Sequence, residues 1–374
     1  MPLSKEQMQK ALEQLPPDEQ WRLFIDGYRQ NEGKMAFDVR EPGYMAGMER
    51  AFEEMKSSID EPLSAELLIE LHKQALTNVD NTDNESLESF RDGSPGDFGL
   101  VSNQDAEEPQ KGNISLRGLT EFMASGALDE TVVRRKKSGE YENVPKFEIE
   151  SGGRDVLRTN TPEQIHDLVK RGGTRFYVAR ESAESINVGV NQILKNYHND
   201  ITQAKSPDDK LNAIVKMVST LERGHIFTDG NARTMVMLTL NRELVKNGFT
   251  PVILENPNRF DLFSCDELKG EISKGMQTFW HYVHKAEVEF LLSETLEPGI
   301  ISSPPSPYEP EHDQAIASSD AEETDRRASP VSIIKTTKEM LSKMKEEDNI
   351  RLKEQEKEEV KEEEDQEDRG DSLA

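Results

Sequence analysis

His225-Ile226-Phe227-Thr228-Asp229-Gly230-Asn231-Ala232-Arg233 lies between two stretches that read as helix, and it decides the local architecture. Before it, Leu211, Ile214, Val215, Val218 and Leu221 recur at the i, i+3, i+4, i+7 spacing of a core-facing helix, which Gly224 can end. After it, Val236, Met237, Leu240, Leu244 and Val245 restart the helical period until Asn247-Gly248 stops it. Helix, polar loop, helix is the expected order. The loop then delivers its backbone N–H groups at a helix start, where aligned peptide dipoles favour an anion, most often phosphate.

The side chains of the loop suit chemistry at a phosphate. His225 can take a proton near neutral pH without a large pKa shift, which fits a base that deprotonates a hydroxyl nucleophile. Asp229 offers a hard oxygen to Mg²⁺, which needs only one or two protein carboxylates when phosphates supply the other ligands. Gly230, Asn231 and Ala232 can turn their N–H groups inward as an anion nest, and Arg233 adds a planar fork for phosphate oxygens. Phe227 is expected to point the other way and anchor the loop to the core. Singly, these residues are a capping histidine, a turn aspartate, a turn glycine and a surface arginine. Together they meet the charge that forms on a transferred phosphoryl group.

Composition narrows the setting. The 374 residues carry a net charge of −27 and are only 34% hydrophobic, so part of the chain is expected to remain unpacked. The charge argues against nucleic acid, whose binding relies on Lys and Arg neutralising phosphates. No apolar run approaches the ~20 residues of a membrane span. The first residues lack the apolar core of a secretory signal, which makes the cytoplasm the expected working place. A single cysteine, Cys265, excludes an internal disulfide and a multi-cysteine metal site, and reads as a half-buried small residue.

Along the chain, residues 1–44 read as a helical lead-in broken by Pro16-Pro17, Gly33 and Pro42-Gly43. Leu67, Leu68, Leu71 and Ala75 mark a core helix with His72 on its buried stripe. Residues 78–112 read as a long surface loop of the kind that lines sites. Val132–Arg135 and Pro145–Ile149 flank Ser138-Gly139 as a β-hairpin, and Arg175–Val178 is a second extended run. Ile186, Val190, Ile193, Leu194 and Tyr197 form another core helix, and Thr278–His284 sits in a late aromatic one, where His281 and His284 are expected to pack rather than bind metal. Residues 296–332 are a Ser/Pro/acidic linker and 333–374 a Lys/Glu-rich acidic tail, helical or disordered.

His225 to Arg233 resembles the signature loop H-x-F-x-[D/E]-[G/A]-N-x-R of the Fic/Doc (Fido) family. The resemblance implies an all-α, Fic-like helical domain with a short β-hairpin flap, which would span residues 45–295. It implies His225 as general base, Asp229 as the Mg²⁺ ligand, Gly230, Asn231 and Ala232 as the anion hole, and Arg233 as the donor-phosphate contact. Phe90-Arg91 resembles the family's G-x-[YF]-R element, and Arg175–Val178 the strand that clamps a target. The implied reaction moves a phosphate-containing group from a nucleotide onto a Ser, Thr or Tyr hydroxyl of a target protein. AMP from ATP is the first expectation; Doc-like phosphoryl transfer, phosphocholine transfer, or a binding module without turnover are the alternatives. Many AMP-transferring members carry an arginine three residues after Arg233, where this chain has Val236. Ser57-Ser58-Ile59-Asp60-Glu61 resembles the family's inhibitory S-x-x-x-E motif, and the acidic C-terminus resembles type IV secretion signals of bacterial effectors, implying delivery into a host cytosol.

Overall fold

Helix starts follow polar caps that are visible in the sequence. Ser4, Ser64, Ser115, Thr161, Ser182 and Ser206 each accept, through the side chain, a backbone N–H of the first turn that follows. Such caps satisfy donors that a helix leaves unpaired. They open α1 (Lys5–Leu12), α4 (Ala65–Leu76), α5 (Leu116–Ala124), α6 (Pro162–Lys170), α7 (Ala183–Gln203) and α8 (Pro207–Arg223). The remaining helices are α2 (Lys34–Arg40), α3 (Tyr44–Ser57), α9 (Leu240–Lys246) and α10 (Cys265–Thr295). These elements come from a computed structural model that describes residues 3–80, 87–105, 108–135 and 140–295. The Ser138-Gly139 turn, the linker and the acidic tail lie outside the described residues.

The main apolar core is built by α3, α4, α7, α8, α9 and α10, and it includes the expected stripes of α4, α7 and α8. The lead-in belongs to the same core, through Met8, Leu12, Leu15, Leu23, Phe24 and Ile25. Among the described residues no helix is long and apolar enough to cross a membrane.

The chain is mostly helical, as expected, with a small antiparallel sheet. Its strands run β1 (Gly96–Gly99), β6 (Thr174–Val178), β4 (Phe147–Ser151), β5 (Arg154–Asp155) in spatial order. A second core fills the space between this sheet and α5 and α6, with Phe176, Ile149, Val178, Leu119, Ile165 and Leu262 buried. The expected hairpin exists with a different partner strand. β2 (Thr131–Arg135) pairs with β3 (Tyr141–Pro145), whereas Phe147–Ile149 begins β4 and pairs with β6. β3, Tyr-Glu-Asn-Val-Pro, lacks the apolar–polar alternation that would reveal it, and none of its residues is fully buried. The stretch read as one long loop contains β1 and the buried Leu87, Phe90 and Arg91.

After the signature loop the helix opens wider than an α-helix: Arg233–Thr239 is a π-helical turn, with Thr239 donating its hydroxyl to the Thr234 carbonyl five residues back at 2.7 Å. Such turns are rare and often mark functional sites. At the far end of this helical stretch, Arg242 is fully buried, pairs with Glu243 and donates to the carbonyls of Ser58 at 2.7 Å and Glu61 at 2.6 Å. Truncating one member of a buried charge network leaves the others unpaired, at about 3–5 kcal/mol. Arg242→Ala is therefore expected to lower the melting temperature by roughly 10 °C, as read by calorimetry.

Candidate functional site

Helix α8 ends at Gly224, and the chain turns through His225 in the left-handed region, at φ 38°. A histidine there is strained by about 1–2 kcal/mol, so neighbours must hold it. Arg91 does so. It is 1% exposed; its Nε donates to the His225 carbonyl at 2.6 Å, and its backbone N–H to the Ile226 carbonyl at 3.0 Å. Its Nη1 reaches the carbonyls of Ser94 and Ala179, which ties strand β1 and the end of β6 to the loop.

The imidazole of His225 stacks on Phe98 of β1, with ring centroids 4.7 Å apart. Gly96 makes that approach possible, because a Cβ on it would stand 2.6 Å from the Cβ of His225. Burial, followed by the positive field of Arg91, pushes the His225 pKa down to about 4. The ring is therefore neutral at pH 7, the state a proton acceptor needs.

The remainder of the loop is closed by two further side chains. The Asn231 amide accepts from the Phe227 N–H and donates to the Phe227 carbonyl, both at 3.0 Å. Phe227 is buried and stacked on His72 at 3.8 Å, and His72 Nε2 donates to the Asp229 carbonyl at 3.0 Å. Phe227 is thus the anchor expected of it, and His72 is a buried, bonded histidine that also shapes the loop. Gly230 supplies the turn at φ 71°, with its N–H given to Asp229 Oδ1 at 2.7 Å. The N–H groups of Asn231, Ala232 and Arg233 open the next helix, in the turn whose donors lack helical partners.

Asp229 is exposed, its carboxylate 3.6 Å from Arg233. A lone exposed carboxylate at a helix start fits a Mg²⁺ ion that takes its other ligands from donor phosphates and water. Arg233 pairs with Glu41 at 2.6 Å, lies 5.0 Å from the ring centre of Tyr44, and leaves its buried Nη1 without a hydrogen-bond partner among the described residues. Val236 is fully buried in the core and Glu61 is exposed beside Arg242 and Lys246 at the other end of the helix, so neither reaches Arg233.

Behind His225 lies a feature that the sequence reading missed. Ligand atoms of Glu222, His225 and Asp261 all fall within 4.8 Å of one another. Glu222 and Asp261 are 2% and 3% exposed, and each keeps one carboxylate oxygen without a partner among the described residues. The signal was available: Glu222 follows Val218 by four residues on the buried side of α8. Phe98, Gly96, Glu41 and Tyr44 carried no such signal, since only the tertiary fold brings them to the loop.

No family model matches the chain. By sequence it is similar to a group-transferring enzyme of a bacterium. That protein is the phosphocholine transferase AnkX of Legionella pneumophila, 30% identical over 277 residues, a match covering 69% of this chain and 27% of AnkX. The chain thus spans about a quarter of that relative's length. The unmatched 31% cannot reach residue 225 from the start or residue 233 from the end, so the matched span runs across the loop's positions.

Two outcomes follow from this geometry. Gly96→Ala is expected to fold but to displace His225, lowering any transfer rate about a hundredfold or more, because catalytic geometry tolerates little misplacement; single-turnover kinetics beside a melting curve would read both. Burial raises the pKa of Glu222 and of Asp261. The folded state therefore binds more protons than the unfolded state above the ordinary carboxylate range, and the stability of this pair declines as pH rises. Glu222→Gln is expected to stabilise the fold by about 2 kcal/mol at pH 8 and by less at pH 5, measured by urea unfolding.

Proposed function

We propose that the chain is a Fic-type, Mg²⁺-dependent transferase that moves phosphocholine from a nucleotide-linked donor onto a hydroxyl side chain of a target protein. One observation carries this reading: His225, kept neutral chiefly by burial and held out of the helical path by Arg91, stands before a helix start and Arg233, within a stretch similar to a phosphocholine transferase. AMP from ATP, the first expectation from the loop, lacks that support. The arginine that marks many AMP-transferring loops is replaced here by a buried valine.

In this reaction the acceptor hydroxyl gives its proton to the His225 ring as its oxygen bonds to the phosphorus of phosphocholine. The bond from that phosphorus to the bridging oxygen breaks, and a nucleoside monophosphate leaves with the electron pair. Negative charge on the transferred group is offset by the first-turn N–H groups of Asn231, Ala232 and Arg233 and by the Arg233 guanidinium. Mg²⁺ held by Asp229 and donor phosphates would neutralise further charge. The β2–β3 hairpin and the β6 strand are the surfaces proposed to meet the target protein.

Phosphorus NMR of the protein with Mg²⁺ and an equimolar mixture of CDP-choline and ATP tests the donor. CDP-choline is expected to be consumed to CMP while ATP persists, and His225→Ala to slow this by about 10²–10⁴-fold. Consumption of ATP alone would move the assignment to AMP or phosphoryl transfer. Binding of both nucleotides without turnover would leave a binding module.

A further inference from the structure

Beside the loop lies a cleft of about 500 Å³ whose far wall is formed by residues 26–44. One wall holds Asp229, Ala232 and Arg233; the other holds Arg29, Arg40, Glu41 and Tyr44. Arg29 Nε donates to Tyr28 Oη at 3.2 Å and lies 3.8 Å from Asp26, and Arg40 pairs with Glu32 at 2.6 Å with its guanidinium 4.5 Å from the Phe37 ring centre. Both side chains are about a third to two-fifths exposed, so their remaining N–H groups stay accessible to a ligand in the cleft.

Three facts converge on an anion here. Arg233 commits one nitrogen to Glu41 and keeps the buried Nη1 unpartnered, a donor whose burial is costly unless something accepts from it. Position 236 cannot help, since Val236 is sealed in the core. Arg29 and Arg40 then bring two further guanidinium groups to the same cleft, and such groups match phosphate oxygens as forks. The cleft also carries the carboxylates of Asp26, Glu41, Asp80 and Asp229, so a bare polyanion is opposed and one neutralised by a divalent cation is admitted.

The geometry points to a second phosphate subsite formed by Arg29 and Arg40, which takes the donor phosphate next to the one at the loop, as the Mg²⁺ complex of a diphosphate. This rests on the reading of the loop as a transferase site. It makes residues 26–44 part of the donor site, although the sequence reading set residues 1–44 apart as a lead-in.

Calorimetric titration with inorganic pyrophosphate, with and without Mg²⁺, tests it on the full chain. The wild type is expected to bind the Mg²⁺ complex, and the Arg29→Ala/Arg40→Ala variant to bind it at least about tenfold more weakly. Lys34→Ala, a nearby charge outside this cleft, is expected to stay within about twofold, and Arg29→Lys/Arg40→Lys to recover part of the loss. Melting curves superimposable on the wild type would show that the double variants fold; if the alanine variant does not, the lysine variant must still fall below wild type. Unchanged affinity in the alanine variant, with loss in Arg233→Ala, would overturn the subsite and leave the transferase reading intact. Binding of CDP-choline but not pyrophosphate by the wild type would overturn the subsite as well, and binding of neither would overturn both.

Discussion

The site depends on how a strained histidine is held. His225 sits in a backbone region that favours glycine, and its carbonyl and that of Ile226 are both taken by Arg91. Arg91 is buried and spends Nε and Nη1 on backbone oxygens, while Nη2 has no hydrogen-bond partner among the described residues and lies 3.9 Å from the Glu181 carboxylate. A carboxylate partner would satisfy the charge and leave the backbone free. Carbonyl partners instead convert one buried cation into a fixture for three chain segments: the loop, the approach to β1 and the end of β6. His225 is thereby positioned by the sheet as much as by its own helix, through Arg91, Gly96 and Phe98.

The same division runs through the other buried charges. Arg242 divides itself, giving one nitrogen to the Glu243 carboxylate and another to the carbonyls of Ser58 and Glu61, and so locks the α3–α4 turn to the end of the helix that begins at the loop. Glu222 and Asp261 are the opposite case: two acids buried side by side, with oxygens left unpaired next to the base. Arginines bonded to backbone explain themselves as structure. A buried pair of acids, each with one oxygen unpaired among the described residues, opposes folding instead of supporting it.

Much of this was legible in the sequence. The stripe of α8, the stop at Gly224 and the polar loop predict the helix–loop–helix that the fold has, and the residue types of the loop are those from which a base, a metal ligand and a phosphate contact are proposed. The loop's internal bonds were partly legible too, since Phe227 had to be an anchor once the polar residues faced the ligand. Three things were hidden. β1 is four residues, two of them glycine, so no periodicity betrays it. The π-helical turn has an apolar pattern that fits an ordinary helix, and its backbone bonding, such as the Leu240 N–H to the Met235 carbonyl five residues back, distinguishes the two. Contacts such as Glu41 to Arg233, nearly 200 residues apart in sequence, are set by the packing of the lead-in and have no local signature.

The lead-in shows why a motif is a poor guide to where a working unit begins. Its helical patterns are short and broken by Pro16-Pro17, Gly33 and Pro42-Gly43, and α2 has no fully buried side chain, so it reads as an attachment. Yet Met8, Leu12, Phe24 and Tyr44 enter the main core, and the Tyr44 hydroxyl donates to the Phe24 carbonyl at 2.6 Å, fixing the ring beneath Arg233. A segment that packs through a few large residues leaves its polar ones free to line the cleft. Because Val236 puts no charge on the helix that bears Arg233, any second cation for a donor's phosphates has to come from another element. The only arginines that the fold carries to that cleft besides Arg233, among the described residues, are Arg29 and Arg40. In the proposed reading the phosphate contacts of the loop and the docking of the lead-in are therefore one problem: losing the second would strip the cleft of its far wall even with every residue from His225 to Arg233 in place.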